Sequence, residues 1–242
     1  MTYLSRVRLN PLRRQTVELV RSPQRMHAAV LGGIAVQPVT ERVLWRLEQA
    51  SHAWDLLVLT QSKPSWEHLV EQAGWPGADG GAARIASYDP LLALVMKGRQ
   101  FRFRVRANPT SAKTRPDSPT PHQASVIEET SGHRGFRVGH RTASHQLEWF
   151  AARASDGAER WGFTVGSRAN PRVAITERER LSFRRRPSAP LVTLETATFE
   201  GLLEVTDPDR FVEVITGGLG GAKAYGCGLL TIAGVESGVV DS

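Results

Sequence analysis

The chain has a single cysteine in 242 residues, Cys227, so no intrachain disulfide can form and no cysteine-rich metal site exists. No apolar run approaches the roughly 18 residues that a membrane helix needs. The longest, Leu91 to Met96, is strand-sized. Met1 to Asn10 alternates polar and apolar, which argues against a secretory signal. Lysine is scarce as well: of the 31 lysines and arginines, only Lys63, Lys97, Lys113 and Lys223 are lysine. These shortages favour a cytoplasmic protein with no membrane partner; no bound metal and no other cofactor are expected.

What is present is arginine. The net charge is +7 and the pI about 10.3. The planar guanidinium fork matches phosphate oxygens and guanine edges, which suits a nucleic-acid partner. A GC-rich genome also writes arginine wherever a cation is needed, so clustering has to decide. With 40% hydrophobic residues the chain can build one large core or two modest ones.

The order of elements repeats. Tyr3 to Leu9 alternates and reads as a half-buried strand, and Pro11 to Val20 starts a helical stretch. Ser22-Pro23 reads as an N-cap with proline at the first helical position, and Gly32-Gly33 as the stop. Arg42 to Leu47 and Trp54 to Thr60 read as strands, Ser65 to Ala73 as a helix, and Arg84 to Met96 as a further strand region. After the turn at Lys97-Gly98, Gln100 to Ala107 sets Phe101, Phe103 and Val105 against Arg102, Arg104 and Arg106. Asn108 to Arg134 is rich in Pro, Ser, Thr and Gly, and a mobile loop is expected there. A helix capped by Thr142 runs through Ala154. Trp161 to Val165, Arg172 to Phe183 and Leu191 to Val205 read as strands. Asp207-Pro208 opens a helix that Gly217 ends, and Gly226 to Ala233 closes the chain's regular structure. With one extra hairpin, the first half's order recurs. Two tandem ferredoxin-like domains, 1–96 and 97–242, are therefore expected in an α+β chain; a single α+β domain with coincidental order is the alternative.

The segment from Gly217 to Leu230 carries six glycines and Lys223 between a helix end and a strand. Such a loop lets backbone come close to a bulky anion. A dinucleotide turn needs the opposite order, strand first and helix after, and no Ser or Thr follows the lysine as a phosphate loop requires. Alone, the segment reads better as a helix cap and tight turn.

The run Gly221-Ala222-Lys223-Ala224-Tyr225-Gly226-Cys227-Gly228-Leu229-Leu230 resembles the C-terminal signature of the RAMP superfamily, RRM-like in fold, and most closely the CasE endoribonucleases of the CRISPR Cascade complex. Gly98 to Pro109, Gly135 to Phe150 and Leu202 to Pro208 resemble other blocks of that family, so the likeness spans the chain. The resemblance implies two ferredoxin-like domains that bind a CRISPR repeat RNA stem-loop and cut at the 3′ base of its stem. It implies attack by the neighbouring 2′-hydroxyl without a metal, retention of the product, and assembly with other Cascade subunits. Such chemistry needs a base, an acid and cations to hold the phosphorane charge.

His27 matches the family's Met-His pair on the first long helix and is the candidate catalytic residue. The bland reading is a boundary histidine on an amphipathic helix. His52 and His68 read as surface residues, His122 and His133 fall in the loop, and His140 and His145 lack metal-ligand spacing. Family members carry a tyrosine one turn before the histidine and basic residues just after it. Here those places hold Gln24, Ala28 and Gly32. Arg25, Lys223 and Tyr225 are the candidates to stand in. Arg180 and the run Arg184, Arg185 and Arg186 tip a hairpin suited to a stem's groove or phosphates, or else form a solvated charged face. Gly220 and Gly221 join Arg25, Lys223 and Tyr225 as expected RNA contacts. A non-catalytic RNA-binding subunit on the same fold, and a protein-recruiting adaptor, are the rival functions.

Overall fold

Strand β1 (Tyr3–Leu9) turns Ser5, Val7 and Leu9 into the interior and Arg6 and Arg8 outward, where both reach Asp55 at about 4 Å. A computed structural model describes residues 1–49, 54–114, 124–125, 127–128, 135–184, 189 and 191–235. After β1 come α1 (Arg14–Arg21) and α2 (Pro23–Leu31). The Ser22 side chain accepts from the Arg25 amide at 3.3 Å, and Pro23 opens α2, so the cap works as its sequence implies. The half is completed by β2 (Leu44–Gln49), β3 (Trp54–Thr60), α3 (Glu67–Ala73) and β4 (Arg84–Ser87). Their sheet runs β2-β3-β1-β4, every pair antiparallel.

The expected strand from Arg84 to Met96 stops at Ser87, and Asp89–Leu92 forms a short helix, α4. Pro90 cannot donate a ladder hydrogen bond but fits a first helical turn, and that local chemistry overrides the apolar run after it.

The second half contains β5 (Gln100–Ala107), β6 (Thr110–Lys113), β7 (Phe136–Gly139), α5 (Ala143–Ala154), β8 (Phe163–Thr164), β9 (Val173–Arg184), β10 (Leu191–Val205), α6 (Pro208–Gly217), a 3-10 turn at Lys223–Tyr225 and β11 (Leu230–Gly234). Its sheet runs β11-β5-β10-β8, with β9 paired to β10. Counting β5, β8, β10 and β11 as first to fourth gives order 4-1-3-2, the order of the first sheet. Both halves are thus ferredoxin-like, and the long β9–β10 ribbon is the extra hairpin. The expected loop from Asn108 corrects at its start: Thr110–Lys113 pairs with Phe136–Gly139, because two segments far apart in sequence supply each other's hydrogen bonds. The remainder of that expectation falls largely outside the described residues. The strand expected over Trp161 to Val165 shrinks to two residues, and the last strand starts at Leu230 rather than Gly226.

One core lies within the first half, around Val7, Leu9, Met26, Val30 and Trp66. The other is aromatic, with Phe150 stacked on Phe199 at 4.7 Å between centroids. It draws in Leu44, Leu59 and Tyr88 from the first half, so the two sheets share apolar contacts. Strand β2 is the link. Its alternation sends Trp45 into the first core and Leu44 into the second. Arg46, 2% exposed, continues the Leu44 face and bonds to Arg104 O and Leu229 O, both at 2.8 Å.

Candidate active site and nucleic-acid interface

His27 sits mid-way along α2, half-buried, with Met26 and Val30 beside it holding the helix to the first core. Its Nδ1 is buried and has no hydrogen-bond partner. Burial pulls the imidazole below the ordinary histidine value, because a second N–H would enter this pocket without an acceptor. The ring is therefore neutral at pH 7. Arg25 stands two residues earlier, about 200° round the helix, and pairs with Glu18 at 3.0 Å. Arg25 thus faces away from His27. His68, expected on the surface, is part-buried, and its Nε2 lies 2.9 Å from Ala29 O near the end of α2. Packing of α3 against the first half turns it inward. His52, His122 and His133 lie outside the described residues.

The glycine-rich segment folds down onto β2, and α2 packs against its Lys223–Tyr225 turn. Two glycines are required by protein contacts rather than by ligand. At Gly218 (φ 81°) a Cβ would come within 2.6 Å of the Leu44 side chain, and at Gly226 (φ 77°) within 2.7 Å of the Trp45 ring. Lys223 threads the space so created: its Cε is 3.1 Å from that same Gly218 position. Burial and the nearby charge of Arg42 pull the Lys223 ammonium below its usual range. Arg42 is exposed at the approach to β2, and nothing in its own sequence neighbourhood marks it. By contrast Gly220 and Gly221 have room around them; added side chains would meet Trp149 at 3.6 Å and Arg137 at 3.8 Å. Cys227 is fully buried, which pushes its thiol up to about 11 and leaves it unreactive at neutral pH.

The arginine-bearing ribbon joins this cluster at its tip. Phe183 of β9 meets Tyr225 edge-to-face at 4.8 Å between centroids. Arg184 is exposed, its Nη1 donating to Ala189 O at 2.7 Å; Arg185 and Arg186 lie outside the described residues. Arg180 is exposed and lies 3.4 Å from Glu195, which Arg141 approaches at 3.9 Å. The alternating arginines of β5 are more committed. Arg104 lies 2.9 Å from Glu200, 3.3 Å from Glu177 and 3.5 Å from Glu48, while Arg106 pairs with Glu179. Their charge is largely spent on carboxylates of neighbouring strands.

The structure therefore gathers His27's helix, Lys223, Tyr225 and Phe183 around one loop, sets Arg184 next to Phe183 on β9, and leaves Arg25 outside it. Sequence reasoning missed Phe183 and Arg42. Phe183 carried a faint signal, an aromatic directly before a run of arginines.

Comparison with known proteins places the chain in a family. The chain is 30% identical over 237 residues to the CRISPR-associated endoribonuclease Cse3 of Thermus thermophilus, covering 96% of this chain and 99% of that protein. Among solved structures, Thermus thermophilus Cse3 bound to an RNA representing a pre-cleavage complex superposes with a TM-score of 0.71 at 29% identity, covering 96% of this chain and 98% of that one. A chain of a CRISPR RNA-guided surveillance complex in its pre-nicking state shares the fold, with a TM-score of 0.61 at 20% identity over 96% of this chain and all of that one. Since a family profile described as CRISPR associated protein also matches residues 2–234, the chain belongs to the CRISPR associated protein family.

Proposed function

We propose that the chain is an endoribonuclease that cuts precursor CRISPR RNA at the 3′ base of the repeat stem-loop, keeps the product, and joins other Cascade subunits in the cytoplasm. The observation that carries this reading is the meeting of α2 with the Lys223–Tyr225 turn, to which the tip of β9 is joined through Phe183. The basic ribbon holds the stem, and the strand at its base reaches the neutral imidazole of His27. His27 takes the 2′-proton, the 2′-oxygen bonds to phosphorus, and the bond to the 5′-oxygen breaks. Lys223 or Tyr225 protonates the departing 5′-oxygen, leaving a 2′,3′-cyclic phosphate and a 5′-hydroxyl. The lowered affinity of Lys223 for its proton suits it to that donation better than an ordinary lysine. The division into 1–96, bearing His27, and 97–242, bearing ribbon and loop, belongs to the same reading.

The reaction proceeds without a metal. The reading follows from the spacing of His, Cys and carboxylates in the sequence, which places no ligand cluster. No described helix is long and apolar enough to cross a membrane. Cleavage in EDTA with repeat RNA in excess tests both chemistry and retention. One rapid round followed by a stall is the expected course. Activity that disappears with chelation and returns with magnesium removes the metal-free mechanism, and many rounds per enzyme remove product retention.

The ribbon's role has its own test. Changing Arg184, Arg185 and Arg186 to alanine should weaken RNA binding and lower the log–log salt slope by about 0.7 to 0.9 for each phosphate that is no longer neutralised. An unchanged slope assigns the three to a solvated surface.

A further inference from the structure

Two residues before Lys223 the glycine-rich loop borders a cleft of about 350 Å³. Four cations from separate parts of the second half line it: Arg137 of β7, Arg153 of α5, Arg160 and Arg210 of α6, with Gly220 and Gly221. Among the described residues no carboxylate lines it. Arg153 is held in place, its guanidinium 4.7 Å over the Trp149 ring and its Nη1 donating to Trp149 O at 2.6 Å. Trp149 is itself fixed, 6% exposed, with Nε1 donating to Thr110 O at 3.0 Å. Burial, and to a lesser extent the charge of Arg160, pull Arg153 below the usual arginine range. Among the described residues Glu213 forms an ion pair with one of the four, Arg210, at 2.8 Å; both side chains are more than half exposed, and such a surface pair neutralises little. One fixed arginine and three exposed ones lining a single cleft beside open backbone form a site for phosphate.

The order of contacts along the loop says which phosphates. Tyr225 meets the ribbon, Lys223 lies in the turn packed on α2, and Gly221 and Gly220 border the cleft. From Tyr225 to Gly221 the chain spans at most about 14 Å, a distance that a single strand crosses in a few nucleotides. With the stem on the ribbon and the cut beside α2, the strand running on past the cut is led into the cleft. We propose that this cleft binds phosphodiesters of the single-stranded RNA that leaves the 3′ side of the stem. The proposal rests on the nuclease reading given above. Because cutting removes that strand, the cleft contacts substrate and not product. It favours uncut RNA without slowing the chemistry, and its hold ends at the moment of cleavage.

The test uses the full chain with Arg137→Gln, Arg160→Gln and Arg210→Gln combined. All three side chains are exposed, so thermal unfolding should stay at the wild-type temperature; Arg153 is kept because it packs on Trp149. Fluorescence anisotropy is read on three hairpins of a repeat from the host's own CRISPR arrays: stem alone, stem with a short 3′ tail, and stem with the same tail on the 5′ side. A 2′-deoxy nucleotide at the cut blocks cleavage. Wild type should bind the 3′-tailed RNA about tenfold tighter than the stem, and the variant should lose that advantage while binding the bare stem unchanged. The variant's salt slope on the 3′-tailed RNA should fall by about 0.7 for each phosphate that the cleft no longer neutralises. Equal wild-type affinity for tailed and bare stems, an advantage from the 5′ tail instead, or a variant weakened on all three RNAs each overturns the proposal. Wild-type protein that binds none of the hairpins overturns the nuclease reading itself, whereas binding all three alike removes only the cleft.

Discussion

His27→Ala is expected to cut the cleavage rate by about 10² to 10⁴, the usual worth of a positioned acid or base, while binding of the intact repeat persists. The two outcomes separate because His27 is half-buried at the edge of the first core, with Met26 and Val30 making the packing contacts of α2. Removing an imidazole whose Nδ1 has no partner strands no other polar group. The basic ribbon is untouched. A single-turnover assay alongside a gel shift reads both halves. A variant that cuts at close to the wild-type rate makes His27 structural and moves the chemistry to Lys223 or Tyr225. Loss of cutting and binding together would instead mean that α2 itself had been disturbed.

The same histidine sets the acid limb of the pH profile. Its folded-state pKa is lowered by burial, so it stays neutral and able to accept a proton somewhat below the ordinary value of about 6.5. Single-turnover cutting should hold steady as pH falls to about that value and decline only below it. Stability follows in the same direction. The unfolded chain binds the proton first, so the contribution of His27 is fully present above its unfolded pKa and is lost as pH falls through the lower folded one. The His27→Ala variant should lose less stability than wild type across that acid window.

Local patterns in the sequence were legible where local chemistry decides. The alternation of Gln100 to Ala107 placed Phe101, Phe103 and Val105 inward, and Ser22-Pro23 and Asp207-Pro208 cap the helices that they announce. The likeness of the glycine-rich run and of three other blocks pointed to the family before any fold was known. Illegible were the features made by distant partners. Nothing near Arg104 reveals that Glu48, Glu177 and Glu200, from three other strands, surround it. The pairing of β6 with β7 joins residues more than twenty positions apart. The glycines of the loop allow two readings, room for a bulky anion or a helix cap and tight turn. At Gly218 and Gly226 the room is taken by Leu44 and Trp45, and only Gly220 and Gly221 keep the open backbone that the first reading needs. The candidate second catalytic group was likewise out of reach. Lys223 comes against α2 only because the loop of the second half folds over β2 of the first.

Arg46→Ala is expected to destabilise the protein by about 3 to 5 kcal/mol, the cost of breaking a buried charged network from one side. The residue is 2% exposed and every nitrogen of its guanidinium donates. Nε and Nη2 go to Glu48 at 3.1 and 2.6 Å, Nη1 to the carbonyls of Arg104 and Leu229 at 2.8 Å each, and Nη2 also to the Thr231 hydroxyl at 2.8 Å. Three of those acceptors lie in the second half and the residue itself in the first, so one side chain ties the sheets together across β2, β5 and β11. Burial lowers its pKa and the Glu48 carboxylate raises it, and at neutral pH the guanidinium remains charged. Alanine leaves a void where the stem ran and deprives the Leu229 carbonyl of a charged donor in a buried place. Glu48 is less affected, since Arg104 stands 3.5 Å away. For a chain of this size the cost corresponds to a fall in Tm of roughly 6 to 20 °C. Arg46→Lys should fall between, because an ammonium has three donors and no fork to span two carbonyls and a carboxylate. Arg102→Ala, on the exposed face of β5, is the control and should leave Tm within about 2 °C. A Tm for Arg46→Ala as close as that to wild type would mean that the shared apolar contacts of Leu44, Leu59 and Tyr88 hold the halves together without it. If the network matters as described, the variant should also cut more slowly at temperatures well below its Tm, because β2 is the floor on which Gly218, Lys223 and Gly226 rest.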